Sequence, residues 1–151
     1  MSTNDHDVKV LNGLIETTID SAEGYEEAAK DAQSSRFTAQ FRSRASERHQ
    51  VASSLQQQVR ALGGQPDDSG TVLASAHRLF VNLRHSISKG DSAVIDEVER
   101  GEDHIKAKFE DALKDHNVSP ATRQVITDGY TSVKSGHDQM RDLKHALHNE
   151  T

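Results

Sequence analysis

Cysteine and tryptophan are absent from this 151-residue sequence, and proline occurs only at Pro66 and Pro120. Without cysteine there can be no disulfide, no thiolate metal site and no cysteine nucleophile. Aromatic residues make up 4% and the whole hydrophobic set 33%, so apolar side chains must be spaced regularly along amphipathic elements if the chain is to fold. No apolar run approaches the roughly 18 residues of a membrane span. Positive charge is also in deficit, with 18 basic against 24 acidic residues and a formal net charge of −6. That balance argues against nucleic acid as a main partner, because phosphate recognition needs clustered Lys and Arg. The opening, Met1 to Asp7, is polar and acidic and carries no visible secretory or transit pattern. The expectation is one cytoplasmic domain over residues 1–151, without a membrane or nucleic-acid partner.

What is present is helical spacing, in five segments. The first, about 7–33, carries Val8, Leu11, Ile15, Thr18, Ala22, Tyr25 and Ala29 on one face. The second, about 36–62, carries Phe37, Phe41, Arg44, Arg48, Val51, Leu55, Val59 and Leu62. Gly63-Gly64 stops it, since glycine accepts the left-handed conformation common at helix C-termini. A shorter third segment, about 71–88, has Leu73, Ala76, Phe80 and Leu83 inward, with Val81 outside that stripe. The fourth, about 92–115, buries Val94, Ile95, Val98, Ile105 and Phe109. Ser119-Pro120 reads as an N-cap followed by proline at the first helical position. It opens the last segment, about 120–148, built on Ile126, Gly129, Tyr130, Val133, Gly136, Met140, Leu143 and Leu147. Four long segments of roughly 36 to 45 Å each, at 1.5 Å per residue, cannot hide their stripes alone. They predict an all-α four-helix bundle of ferritin-like layout, two hairpins joined by a crossover that holds the short fifth helix.

The chemistry-bearing residues are those placed where apolar ones belong. A di-iron carboxylate bundle needs a carboxylate from each of two helices and Glu-x-x-His from each of the others. No Glu-x-x-His occurs here. The nearest pattern, Asp142-x-x-His145-x-x-His148, lies off the apolar stripe and reads as a solvated tail. No Ser-His-Asp arrangement and no phosphate-cradling glycine loop is present. Thr18, Arg48, Glu102 and His137 do face inward or flank the stripes. One reading makes Glu102 and His137 metal ligands for iron or manganese, helped by Glu26 or Glu47. The preferred reading makes Arg48 and Glu102 a buried ion pair, with Thr18, Tyr25 and His137 completing a hydrogen-bond network. An unpartnered buried guanidinium costs several kcal/mol, and a cation in that cavity repels a divalent metal. Gly101, Gly129 and Gly136, on or beside the buried stripes, are read as room for a neighbouring aromatic such as Tyr25 or Phe109 in preference to close helix approach around a site.

The stretch Leu11-Asn12-Gly13-Leu14-Ile15-Glu16-Thr17-Thr18 with Gly24-Tyr25 resembles the opening of an uncharacterised bacterial family, classed as a domain of unknown function among ferritin-like bundles. Leu62-Gly63-Gly64, Asp68-Ser69-Gly70, His77-Arg78 with Asn82-Leu83, and Glu99-Arg100-Gly101-Glu102-Asp103-His104 extend the resemblance from about residue 10 to 145. The chain is more distantly similar to YciF-like bacterial stress proteins. By that resemblance Glu102 with Phe109 matches a ligand position, and Thr18 with Tyr25 is the same position with its carboxylate gone. Arg48 and Val51 stand where a Glu and a His are expected. The resemblance implies a ferritin-like ancestor whose dimetal centre was partly replaced. The resulting expectation is a non-enzymatic bundle of bacterial stress physiology, without catalytic residues or cofactor, acting on an unknown protein partner or as a homodimer. Val81 is the motive for the dimer. The alternative is a metal-binding, redox-active or storage protein.

Overall fold

A computed structural model describes residues 3–31, 35–69 and 91–149 of the chain. Four helices account for most of them: α1 (Thr3–Asp31), α2 (Ser35–Ala61), α3 (Asp91–Leu113) and α4 (Pro120–Asn149). No strand occurs among the described residues, and no helix there is long and apolar enough to cross a membrane. The short helix expected over 71–88, with Val81, lies outside the described residues. Helix α1 begins a turn earlier than its apolar spacing suggests, with Asp5 in its first turn. An acid there favours the positive end of the helix dipole. Helix α3 stops at Leu113, two residues short of the expected end, because the Asp115 carboxylate accepts from the Asn117 N–H at 2.9 Å and starts a turn.

Local chemistry fixes the helix ends. At the end of α2, the Gly64 N–H donates to the Val59 carbonyl at 3.0 Å and the Gly63 N–H to the Arg60 carbonyl at 2.9 Å. That pair of bonds is a Schellman motif, and Gly63 sits at φ 82°, where a Cβ would be strained. Gly64 is needed for space, since a Cβ there would meet Val8 Cγ2 at 2.7 Å. Beyond it the chain turns back along α1. Asn12 holds it there, donating to the Gln65 carbonyl at 3.1 Å and accepting from the Asp67 N–H at 2.9 Å.

Helix α1 packs on α2 and α3 on α4, and the two hairpins meet through α1 against α3 and α2 against α4. Side-chain contacts give the directions. His6 Nε2 lies 2.8 Å from Asp115 Oδ2, and Asn4 reaches the Leu62 carbonyl, so the start of α1 shares one end with the close of α2 and of α3. At the other end Ala28, Phe37, Val94 and Leu147 lie in one apolar cluster. Each neighbouring pair is therefore antiparallel, while α2 and α3 run in the same direction. The chain leaves α2 at one end of the bundle and enters α3 at the other.

The core is in two parts. One cluster gathers Tyr25, Phe37, Phe41, Val94, Ile95, Val98 and Met140, and the few aromatics concentrate there, with Phe37 stacked on Phe41 at 5.9 Å. The second gathers Leu11, Ile15, Leu55, Val59, Ile105, Phe109, Ile126 and Val133. A buried carboxylate fastens the end beyond the second cluster. Asp7 is 0% exposed and accepts from the Ser119 N–H at 3.1 Å and from its hydroxyl at 2.6 Å. Arg123 completes that end by donating to the Leu113 and Asp115 carbonyls at 2.6 and 2.5 Å, capping the open end of α3.

Replacing Asp7 with Ala strands the Ser119 donors. We expect a loss of about 1–3 kcal/mol, read in urea as a lower midpoint at unchanged slope; an unchanged midpoint would show that this carboxylate holds nothing.

Candidate functional site

Between the two apolar clusters every helix contributes a position that is not a large apolar residue. They are Ser21 on α1, Arg48 on α2, Glu102 on α3 and Gly136 on α4, all buried. Arg48 is 0% exposed and Glu102 is 1%. Arg48 Nη2 donates to Glu102 Oε2 at 2.7 Å and Nη1 donates to Ser21 Oγ at 2.9 Å. The second Glu102 oxygen accepts from the Tyr25 hydroxyl at 2.5 Å. The guanidinium carbon also lies 5.8 Å from the centre of the Tyr25 ring, within cation–π range.

Glycine creates the room for this layer. A Cβ on Gly136 would stand 2.5 Å from Arg48 Nη2 and 3.1 Å from Arg44 Cδ, so the small residue accommodates two arginines rather than an aromatic ring. At Gly129 the expected aromatic neighbour is found, because a Cβ would meet Phe109 Cε2 at 3.0 Å. Arg44 forms an outer part of the layer. Its guanidinium binds Glu47 at 2.6 Å and Gln139, and Glu47 also accepts from Ser132. The Nε donors of Arg44 and Arg48 are buried without a protein partner.

The electrostatics follow from burial. Loss of water works against the charge on Arg48, but Glu102, with Tyr25 and Glu47, outweighs it and holds the guanidinium's pKa above its usual value. Burial and the neighbouring Glu102 carboxylate push the Tyr25 phenol well above the ordinary tyrosine range, so it stays a hydrogen-bond donor.

The structure brings together Tyr25, Arg48 and Glu102 and adds Ser21, which sequence reasoning missed. Ser21 is a small polar residue on the edge of the first stripe, and its only signal is that it lies one turn before Tyr25. Two expected members sit elsewhere. Thr18 is buried, but its hydroxyl donates to the Leu14 carbonyl one turn back at 2.7 Å and needs no partner across the core. His137 turns to the flank of α3, where Nε2 lies 2.6 Å from Asp103 Oδ1 and Nδ1 lies 3.3 Å from Asp138 Oδ1. It therefore does not join Glu102, whether as a co-ligand or in the network. The carboxylates considered as helpers are also occupied, Glu26 at the surface beside His49 at 3.0 Å and Glu47 with Arg44.

The donor set does not fit a central dimetal pair. Both Glu102 oxygens are engaged, a guanidinium occupies the same layer, and Thr18 offers no carboxylate. The nearest constellation able to hold a metal ion lies outside the core, where ligand atoms of Glu99, Asp103 and His137 fall within 4.8 Å of one another. Glu99 and Asp103 were not singled out from sequence, because they resemble a solvated face. The available signal was their four-residue spacing beside the Glu102 turn.

Breaking the central pair from one side leaves a bare buried charge. Arg48→Met and Glu102→Leu are each expected to cost about 3–5 kcal/mol, while Arg48→Met with Glu102→Leu and Tyr25→Phe recovers most of the loss. Chemical unfolding of the set measures this; additive losses would show that the pair is not coupled.

None of the curated proteins compared with the chain matches it. Residues 6–115 match the Domain of unknown function (DUF2383), a stretch that carries α1 to α3 and with them Ser21, Tyr25, Arg48 and Glu102. The match takes in more than two thirds of the sequence, and the chain belongs to this family.

Proposed function

We propose that the protein is a ferritin-like helical bundle that acts without catalysis, in which a fixed ion pair has taken the place of a dimetal centre. The observation that carries this reading is the fully buried Arg48–Glu102 contact at 2.7 Å, midway along the bundle. A guanidinium there supplies the positive charge that bridging ions would otherwise bring to Glu102, and it repels any divalent ion approaching the same carboxylate. The helix directions support the ferritin-like part, since two hairpins joined by one lengthwise connection is that layout.

In this reading the molecule works by contact, as a homodimer or on a protein partner, in the cytoplasm of a bacterium under stress. The resemblance to stress-associated bundles and the apolar Val81 motivate that part. The alternative, iron or manganese chemistry centred on Glu102 and His137, requires two side chains that point to different places.

Aerobic addition of ferrous iron to the purified chain tests the main claim. Oxygen uptake and near-ultraviolet absorption are expected to match buffer alone. Turnover that disappears in Glu102→Gln would overturn the reading. Light scattering tests the contact part, with a mass twice that of one chain expected; a monomer at high concentration would remove the dimer.

A further inference from the structure

We propose that Glu99, Asp103 and His137 form a site for a single divalent transition-metal ion on the flank of the α3–α4 hairpin, distinct from the Arg48–Glu102 layer. Glu99 and Asp103 are one turn apart on α3 and so present their carboxylates on one side of the helix. His137 comes from α4 and brings an imidazole to them, with all three ligand atoms within 4.8 Å of one another. One nitrogen and two carboxylate oxygens are three protein ligands, with the remaining positions open to water, as in zinc sites that keep an exchangeable place. The imidazole selects zinc, cobalt, nickel or iron over magnesium and calcium, which take oxygen ligands alone.

One further observation supports a cation at this spot. Asp138 Oδ1 lies 3.3 Å from His137 Nδ1. Without a metal, Nε2 donates to Asp103 at 2.6 Å; an ion taking that proton's place would leave Nδ1 to donate to Asp138, the carboxylate that orients a ligating imidazole from behind. The Lys144 ammonium, 3.1 Å from Glu99 Oε2 and 36% exposed, is the competitor that a bound ion has to displace.

The movement required is small. His137 Nε2 and Asp103 Oδ1 are 2.6 Å apart, and two ligands sharing a tetrahedral ion at about 2.0–2.1 Å need roughly 3.3 Å. The Asp103 side chain is 62% exposed and free to swing by that amount, while Glu99 and His137, at 15% and 12%, are more enclosed. The bound ion would tie α3 to α4 without a change of oxidation state.

Titration calorimetry of the full, untagged chain with zinc, repeated with cobalt for its visible absorption bands, tests the proposal. One strong ion per chain is expected. His137→Ala and Glu99→Gln should each weaken it at least tenfold, Asp138→Asn should weaken it less, and Lys144→Met should strengthen it. His145→Ala, at a histidine outside the cluster, should leave it unchanged, and a melting-temperature rise with zinc should vanish in His137→Ala. Circular dichroism of each variant establishes that it is folded. If zinc does not bind, or binds equally well to folded His137→Ala, the site does not exist. Neither result bears on the Arg48–Glu102 reading, which involves none of these ligands.

Discussion

A guanidinium held by a carboxylate in a layer closed to bulk solvent sets the terms for the rest of this bundle. Taking both ions out of water costs several kcal/mol each, and their mutual attraction returns that only when the geometry is close and the remaining polar atoms find partners. Here the geometry is close: one Glu102 oxygen meets Arg48 and the other meets Tyr25, while the second arm of the guanidinium meets Ser21. The glycine at 136 exists for the same reason, since a methyl group there would run into Arg48. Three helices are thus bonded to one another through one buried ion pair, and the fourth leaves room for it.

Such a layer is better understood as a specification of register than as a source of stability. The apolar clusters on either side are built from residues that exchange readily, and a helix sliding by a turn would still bury hydrophobic surface. A one-turn slip of α3 would instead bring Val98 or Ile105 opposite Arg48 and leave the ion bare in the core. Buried polar residues are known to select register in coiled coils in this way.

Much of this could be read from residue order, and the parts that could not have identifiable causes. The helix spans follow from apolar spacing because a chain with so few apolar residues places nearly all of them inward; Leu11, Ile15, Leu55, Ile105 and Ile126 are each 0% or 1% exposed. Arg48 and Glu102 stand out as charges on apolar stripes. Thr18 was misleading because a threonine inside a helix carries its own acceptor one turn back, so an inward position does not imply a contact across the core. His137 depends on the rotation of α4 about its axis, which spacing fixes only to within part of a turn. The same uncertainty concealed its meeting with Glu99 and Asp103, two acids that look like ordinary solvent-facing residues until the facing helix is known.

The parallel course of α2 and α3 has a consequence for how the molecule comes together. Arg48 belongs to the first hairpin and Glu102 to the second, 54 residues away in the chain, so the pair closes only where the two hairpins meet. The cost of dehydrating both ions is therefore tied to a contact between segments distant in the chain, the kind of contact that slows folding. A charge in the middle of each apolar face also makes that face a poor match for any surface that lacks the opposite charge.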